Sequence, residues 1–220
     1  MKGIEVLLQH GWAWDAGGWA ALEATAPAGV VTRVADRGYF GTPSSPGDGA
    51  PVLVAHSFGL HLLEPRWVAG ARLVVVLGGF AAFHPEGAAG RRSRRVVGRM
   101  RQGLEGEPVA LLADFRARCF APEAGEYPLR PEADLPLLAA DLERLDTQTP
   151  DLAALAAVPR VLLLHGEQDQ IVPVERAQDL QRRLPNSHLE RVAGAGHALP
   201  LTRAAACWAA IAAAWTELEP

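Results

Sequence analysis

The sequence predicts an α/β fold, with a compact and mostly parallel sheet and a helical cap inserted between its strands. Short Val/Leu-rich runs alternate with helix-like segments in the first part of the chain, and the same alternation returns near residue 159. Continuous apolar runs of this kind are typical of parallel strands that are buried on both faces. No internal repeat or low-complexity linker divides the chain, so we expect one domain over residues 1–220.

Four strands are predicted in the first part of the chain, at residues 4–8, 30–35, 52–56 and 73–77. A helix is expected around 16–26, and a short helix near 58–65. Positions 38–51 hold four glycines and three prolines, and this turn-forming composition predicts a loop. The second and third strands are therefore expected to be joined without a helix between them.

The middle of the chain, approximately 84–150, is predicted to be a helical cap of two to four helices. Arg, Glu, Leu and Ala recur there at helical spacing, and Gly and Pro interrupt the pattern. The strand–helix pattern then resumes, with strands at 159–165 and 188–192 and helices at 173–184 and 202–218. The cap thus precedes the strand that leads to the candidate acid described below.

The composition is that of an ordinary globular protein, with 49% hydrophobic and 21% charged residues. No apolar stretch approaches the roughly 20 residues of a membrane-spanning helix, and the N-terminal segment is a poor signal peptide. We therefore expect a cytoplasmic, monomeric protein with no membrane partner. A formal net charge of −4 argues against general binding to nucleic acids.

The two cysteines, Cys119 and Cys207, have neither the spacing of zinc ligands nor a CxxC arrangement, so no metal site is expected. A single disulfide between them is conceivable. Buried thiols fit the reducing cytoplasm better.

A serine follows the third predicted strand, in the segment Ala55-His56-Ser57-Phe58-Gly59. The segment is similar to the G-x-S-x-G nucleophile elbow, in which a sharp strand-to-helix turn exposes the serine hydroxyl above the sheet. The positions two before and two after the serine must be small, because strand and helix backbones nearly touch there. Gly59 meets this demand, and Ala55 adds only one methyl group. The alternative is a serine that merely ends a buried strand.

Asp169 and His197 supply the groups that a serine nucleophile requires. A serine hydroxyl needs a histidine to accept its proton, and that histidine needs an acid to fix its tautomer. Ser57, Asp169 and His197 occur in the chain order of triads on sheets of this kind, each in a loop after a strand. Asp146 and Asp151 are rival acids, but neither follows a strand. A turn-forming role is the alternative for Asp169.

Seven histidines compete for the role of base, and only His197 lies in a small-residue loop after the last predicted strand. Its alternative is an ordinary loop histidine. The other six are expected to have different roles. His10 and His165 shape loops, and His56 faces away from the serine. His61 lies in a helix, His188 begins a strand, and His84 enters the cap, where a substrate contact is the expected role.

An oxyanion hole requires backbone N–H groups aimed at the developing negative charge. The residue after the nucleophile, Phe58, supplies one such group, and the loop after the first strand points to Trp12 for the other. Core packing is the alternative role of the Trp12 side chain, and it is compatible with the first.

The predicted cap carries six arginines and no acidic residue between Arg91 and Arg101. One interpretation is a solvated helix face, and the other is a binding surface for an acidic partner.

The segments HGW, AHSFG, GEQDQIVP and GAGHA together resemble those of the α/β-hydrolase superfamily, over essentially the whole chain. More narrowly, the chain is similar to the carboxylesterases of biotin synthesis that cleave pimeloyl-[acyl-carrier protein] methyl ester. The resemblance implies Ser57 as nucleophile, Asp169 as orienting acid and His197 as base, with the Trp12 and Phe58 amides as the oxyanion hole. It also implies that cap arginines contact the acidic carrier protein, the candidates being Arg91, Arg92, Arg94, Arg95 and Arg99.

Two features depart from the family pattern. Ala55 replaces the first glycine of the elbow, and the glycine- and proline-rich stretch 38–51 stands where typical members have a helix. Compact esterases of the same pathway also have trimmed scaffolds, so the missing helix is compatible with the resemblance.

We therefore expect a serine carboxylesterase that forms an acyl-enzyme and needs no metal or organic cofactor. The expected reaction converts pimeloyl-[acyl-carrier protein] methyl ester to pimeloyl-[acyl-carrier protein] and methanol. A general small-ester carboxylesterase, a lactonase or a thioesterase is the alternative among enzymes. A non-catalytic, hydrolase-like binding protein is the alternative outside them.

Overall fold

The computed structural model describes residues 3–130 and 132–219. Its strands are β1 Glu5–Gln9, β2 Val31–Ala35, β3 Val52–His56, β4 Leu73–Leu77, β5 Arg160–Gly166 and β6 Ser187–Val192. They form one sheet in the order β2-β1-β3-β4-β5-β6, and every pairing between neighbours is parallel. The strand order changes direction between β1 and β3, and ligands of open α/β sheets bind at such a point.

The helices of the described residues are α1 Ala20–Ala24, α2 Pro65–Gly70, α3 Gly87–Gly106, α4 Pro108–Phe120, α5 Leu135–Thr147, α6 Leu152–Ala157, α7 Val174–Arg183, α8 Leu199–Thr202 and α9 Ala204–Thr216. Two short 3₁₀ segments, Ala16–Trp19 and Ser57–Leu62, follow β1 and β3. None of the described helices has the length and hydrophobicity needed to cross a lipid bilayer.

The central strands are buried on both faces, as their continuous apolar sequences require. On one face, α1, α8 and α9 pack against side chains such as Leu8 and Val54. On the other face, α2, α6 and α7 pack against Leu7 and Leu53. Successive side chains of a strand point to opposite faces, so adjacent leucines and valines enter different clusters.

Helices α3, α4 and α5, hereafter the cap, lie over the carboxyl ends of the strands. Their apolar side chains form a third cluster with Trp12, Phe58 and Phe80, which follow β1, β3 and β4. The cap is therefore packed on the loops that carry the candidate site.

A buried carboxylate fastens the cap to the loop after β2. Asp141 of α5 is fully buried and accepts hydrogen bonds from Arg37 Nε (2.8 Å), the Tyr39 hydroxyl (2.7 Å) and Arg144 Nη1 (2.7 Å). Burial alone would raise the pKa of Asp141, but the hydrogen bonds from these three side chains outweigh it and lower the pKa. The ionised carboxylate thus joins residues about 100 positions apart in sequence.

The predicted strands lie within one residue of the observed ones, and residues 36–51 contain no helix, as expected. Three helix predictions need correction. The segment 16–26 divides into a 3₁₀ turn and the short α1. The 3₁₀ turn is capped by the Asp15 side chain, which accepts a hydrogen bond from the Gly17 amide. The elbow segment ends at Leu62, and a separate, unpredicted α2 begins at Pro65, because proline favours the first turn of a helix.

The predicted C-terminal helix at 202–218 is interrupted at its start. Arg203 has φ −133° and ψ 30°, which is not helical, and it separates α8 from α9. The apolar spacing continues through this break, so the sequence pattern alone does not reveal it.

The cysteines Cys119 in α4 and Cys207 in α9 are both free and buried, so the disulfide alternative is wrong. Burial raises the pKa of both thiols, that of Cys207 to about 12. Thiols of this kind are chemically inert.

Candidate active site

Ser57 has a left-handed backbone at the end of β3. Its φ is 55°, and it begins the 3₁₀ segment that follows His56. A residue other than glycine pays about 1–3 kcal/mol for this conformation, and such residues cluster at functional sites. The sharp turn from strand to helix is the geometry of a nucleophile elbow.

Close backbone contacts surround the elbow and explain which positions must be glycine. A Cβ atom at Gly59 would lie 2.4 Å from Gln9 O, and one at Gly11 would lie 2.7 Å from His56 O. Ala55 is fully buried, and its methyl group packs in the apolar cluster under α2. The strict steric demand therefore falls on Gly11 and Gly59, and Ala55 is accommodated. In the sequence, the signal for this constraint at Gly11 is a glycine that closely follows the first strand, which ends at Gln9.

Asp169 and His197 form a short hydrogen bond across the site. Asp169 Oδ2 lies 2.7 Å from His197 Nδ1, while Oδ1 accepts the amides of Ile171 and Val172, each at 2.8 Å. Burial alone would raise the pKa of Asp169, but His197 and the other donors outweigh burial and lower it. An ionised Asp169 fixes the proton of neutral His197 on Nδ1, which leaves Nε2 as an acceptor.

The Nε2 atom of His197 is buried and has no hydrogen-bond partner among the described residues. Its ring lies 4.8 Å from the ring of His56, the residue before Ser57. A Cβ atom at Gly78 would lie 3.1 Å from His197 Nδ1, so the end of β4 leaves room for this ring. The structure contains no hydrogen bond between Ser57 and His197, and such contacts are often long before substrate binds.

Two further histidines support the loops of Asp169 and His197. His56 Nε2 donates to His197 O at 3.0 Å, and burial lowers the pKa of His56 to about 3, so this ring is neutral. His165 Nε2 donates to Val172 O at 2.7 Å and holds the Asp169 turn. The supporting role of His56 was missed by sequence reasoning, because it depends on a contact 141 residues away.

The two rival acids have other partners. Asp146 lies 2.8 Å from Nε2 of His84, whose Nδ1 lies 2.7 Å from the Ser93 hydroxyl in α3. Asp151 caps α6 by accepting the amide of Ala154. Neither carboxylate is therefore a partner of His197. Ser93, His84 and Asp146 form a hydrogen-bonded chain with the residue types of a triad, but Ser93 lies inside the regular helix α3. The amides there are bonded within the helix, so none is free to bind an oxyanion.

The two predicted oxyanion donors lie next to the elbow. Phe58 is in the first turn of the 3₁₀ segment, where amides have no acceptor within the helix. The Trp12 amide has no acceptor within residues 3–130 and 132–219. The Trp12 ring is buried and donates from Nε1 to Leu138 O at 2.9 Å, so the side chain packs against the cap while the amide stays free.

A cavity of about 350 Å³ opens above Ser57. Its walls are mainly aromatic and aliphatic side chains of the cap and the neighbouring loops, among them Phe80, Phe83, Met100, Phe115, Leu142 and Ile171. The polar lining consists of Arg99, Asp114, Arg118 and Gln170. A cavity with these walls suits an apolar acyl group whose carbonyl reaches the serine.

The candidate arginines all lie on α3, but they do not share one environment. Arg99 lines the cavity, whereas the other four are exposed away from it; these are Arg91, Arg92, Arg94 and Arg95. None of the five forms an ion pair with a carboxylate of the described residues. Within the same residues, no group of three His, Cys, Asp or Glu side chains has the arrangement of a metal site.

Comparisons with known proteins agree with this architecture. The TAP-like protein family matches residues 140–215, from α5 into α9, and no curated protein matches the sequence. Bromoperoxidase from Bacillus anthracis is similar in structure, with a TM-score of 0.79, 21% identity, and coverage of 96% of this chain and 91% of that chain. The esterase EaEST from Exiguobacterium antarcticum is similar too, with a TM-score of 0.78, 16% identity, and coverage of 97% of this chain and 92% of that chain.

A thermophilic esterase from Thermogutta terrifontis is also similar, with a TM-score of 0.74, 19% identity, and coverage of 100% of this chain and 92% of that chain. These likenesses extend over nearly the whole chain at low identity. The chain therefore has the α/β-hydrolase fold.

The steric account of the elbow predicts opposite effects for two glycines. Gly59→Ala should lower the free energy of unfolding by about 1–3 kcal/mol, because the new methyl group meets two backbone carbonyls. Gly98→Ala, within α3 and facing open space, should raise it by about 0.5–1 kcal/mol. Denaturant unfolding followed by circular dichroism measures both, and equal effects of the two changes would contradict the account.

Proposed function

We propose that this protein is a serine hydrolase that cleaves carboxylic esters through an acyl-enzyme. The observation that carries the proposal is the left-handed Ser57 at the floor of an apolar cavity, with the Asp169–His197 pair nearby. Among the described residues, His197 Nε2 has no hydrogen-bond partner. Esterases among the structural neighbours are consistent with it.

In the proposed reaction, His197 Nε2 accepts the hydroxyl proton of Ser57 as Oγ attacks the ester carbonyl carbon. The carbonyl oxygen becomes an oxyanion, which the Trp12 and Phe58 amides bind. His197 then donates its proton to the leaving alcohol, and the acyl group remains on Ser57. Water, deprotonated by the same histidine, attacks the acyl carbon, and His197 returns that proton to Ser57 Oγ as the acid is released. Asp169 stabilises the positive charge that His197 carries in both steps.

The substrate we propose is pimeloyl-[acyl-carrier protein] methyl ester, which yields methanol and the free carboxyl group. Its acyl chain matches the apolar walls of the cavity. Helix α3 carries both Arg99, which lines the cavity, and the exposed arginines that would meet the carrier protein. Carrier proteins are acidic, and complementary charge steers such partners together. A small ester, a lactone or a thioester would bind in the same cavity and would need no contact with the exposed arginines of α3.

The chemical proposal predicts that a fluorophosphonate probe labels wild-type protein on Ser57. Ser57→Ala should lose both labelling and ester hydrolysis, and His197→Ala or Asp169→Asn should lower kcat by at least about 10³-fold. Ser93→Ala, which alters the cap serine bonded to His84, is the matched control and should keep full activity. Peptide mapping locates the label. Folded wild-type protein that takes up no probe would favour a non-catalytic binding protein instead.

The substrate proposal predicts a selective effect of charge reversal on α3. Changing Arg91, Arg92, Arg94 and Arg95 together to Glu should raise KM for the carrier-bound ester by about tenfold or more, with a marked dependence on salt. Hydrolysis of p-nitrophenyl butyrate should be unchanged, because none of the four lines the cavity. Reversal of Arg182 and Arg183 on α7 is the control. Equal kinetics on the carrier-bound ester would leave a small-ester hydrolase as the function.

A further inference from the structure

Helix α4 contacts both loops that the proposed reaction uses. The Phe115 ring packs edge-on against Trp12, with ring centroids 4.9 Å apart. The Cys119 carbonyl accepts the amide of His197 at 3.0 Å and that of the following residue at 2.9 Å. Between these two contacts lies Arg116, whose side chain points into the protein and is only 3% exposed. One helix of the cap therefore touches the Trp12 loop and the His197 loop together.

Arg116 bonds to the carbonyl of Ala13, a residue with a strained backbone that directly follows Trp12. Ala13 has a φ of 58°, a left-handed conformation that a residue other than glycine adopts only where its surroundings impose it. The Ala13 carbonyl accepts a hydrogen bond from Arg116 Nη2 at 3.0 Å. Because a buried carbonyl requires a partner, this bond favours the orientation in which the Ala13 carbonyl faces α4.

The surroundings of Arg116 are unusual for a buried cation. Its Nη1 donates to Pro128 O at 2.6 Å, and its guanidinium lies over the rings of Phe40 (4.9 Å) and Tyr127 (4.8 Å). None of the ion pairs formed by residues 3–130 and 132–219 includes it. Burial accordingly lowers its pKa. An apolar side chain would avoid the desolvation of this charge, so packing alone does not account for an arginine here.

The same loop has two more attachments, one to the segment between α4 and α5 and one to α5. The carboxylate of Asp15 accepts the Tyr127 hydroxyl and, at 2.9 Å, Arg130 Nε, while Trp12 Nε1 bonds to Leu138 O. These contacts hold the two sides of the loop. Arg116 is the contact at strained Ala13, the residue that follows the proposed oxyanion donor Trp12.

We propose that Arg116 is a positioning residue of the oxyanion hole, which fixes the Ala13 carbonyl and thereby aims the Trp12 amide at the substrate oxygen. The role rests on the proposed esterase function. Arg116 itself does not line the cavity above Ser57. Because an oxyanion donor acts most strongly in the transition state, loss of its alignment lowers kcat and leaves KM nearly unchanged.

The test compares Arg116→Met and Arg116→Lys with Leu104→Ala. Methionine keeps the length but removes charge and donors, and lysine keeps the charge and one bond to Ala13. Leu104 is a buried cap residue of α3 outside the cavity lining, so its truncation reports the effect of a weakened cap alone. The readouts are kcat and KM for p-nitrophenyl butyrate and the Ki of a trifluoromethyl ketone, whose adduct with serine carries an oxyanion.

We expect Arg116→Met to lower kcat by about 10- to 100-fold, with KM within about twofold of wild type. The Ki of the ketone should rise by the same factor as kcat falls, and Arg116→Lys should recover part of both. The proposal is overturned if kcat falls no further than in Leu104→Ala, or if KM changes in place of kcat.

Hydrogen exchange of residues 11–15 separates this proposal from the esterase proposal. If wild-type protein hydrolyses no ester, the function proposed above fails, but the positioning role still predicts faster amide exchange of this loop in Arg116→Met. Leu104→Ala should leave exchange of the loop near wild type. Unchanged exchange in Arg116→Met would refute the positioning role whatever the activity of the protein.

Discussion

The left-handed backbone of Ser57 is the constraint on which the arrangement of the site depends. The turn brings the start of the 3₁₀ segment against the backbone of the β1 loop, so that Gly59 meets Gln9 O and Gly11 meets His56 O. The turn follows β3, which is paired with β1 on one side and β4 on the other, so these neighbouring strands fix where the turn begins. The strain at Ser57 is thus sustained by the whole α/β core, and it places the hydroxyl beneath the cavity.

The cap does more than cover the site. Asp141 ties α5 to the loop after β2, and Arg144, which shares that carboxylate, lies 5.5 Å over the Phe58 ring. The carbonyl of Cys119 at the end of α4 holds the His197 loop, and Arg116 holds the loop of Trp12. Rearrangement of the cap would therefore alter the positions of both His197 and the proposed oxyanion donors.

Much of this was accessible from sequence because the signals are local. Val/Leu runs mark the buried strands. Small residues two positions before and two positions after Ser57 mark the elbow, and the Asp169 and His197 loops follow strands in the expected order. The catalytic roles of these residues stay predictions. Contacts such as Arg116 to Ala13 and His56 to the His197 carbonyl were not predictable, because they join residues 103 and 141 positions apart with no pattern in either segment. The break between α8 and α9 at Arg203 was not predictable either, because the apolar spacing continues through it.

The proposed mechanism requires that Ser57 carries an acyl group during turnover. Rapid mixing of the protein with excess p-nitrophenyl butyrate, acid quenching within the first turnovers and peptide mass spectrometry test it most directly. The account predicts a butyryl adduct on the peptide of Ser57 that appears with the first nitrophenol released and decays when the ester is exhausted. Steady hydrolysis with no adduct on the protein, or with the adduct on another residue, would contradict it.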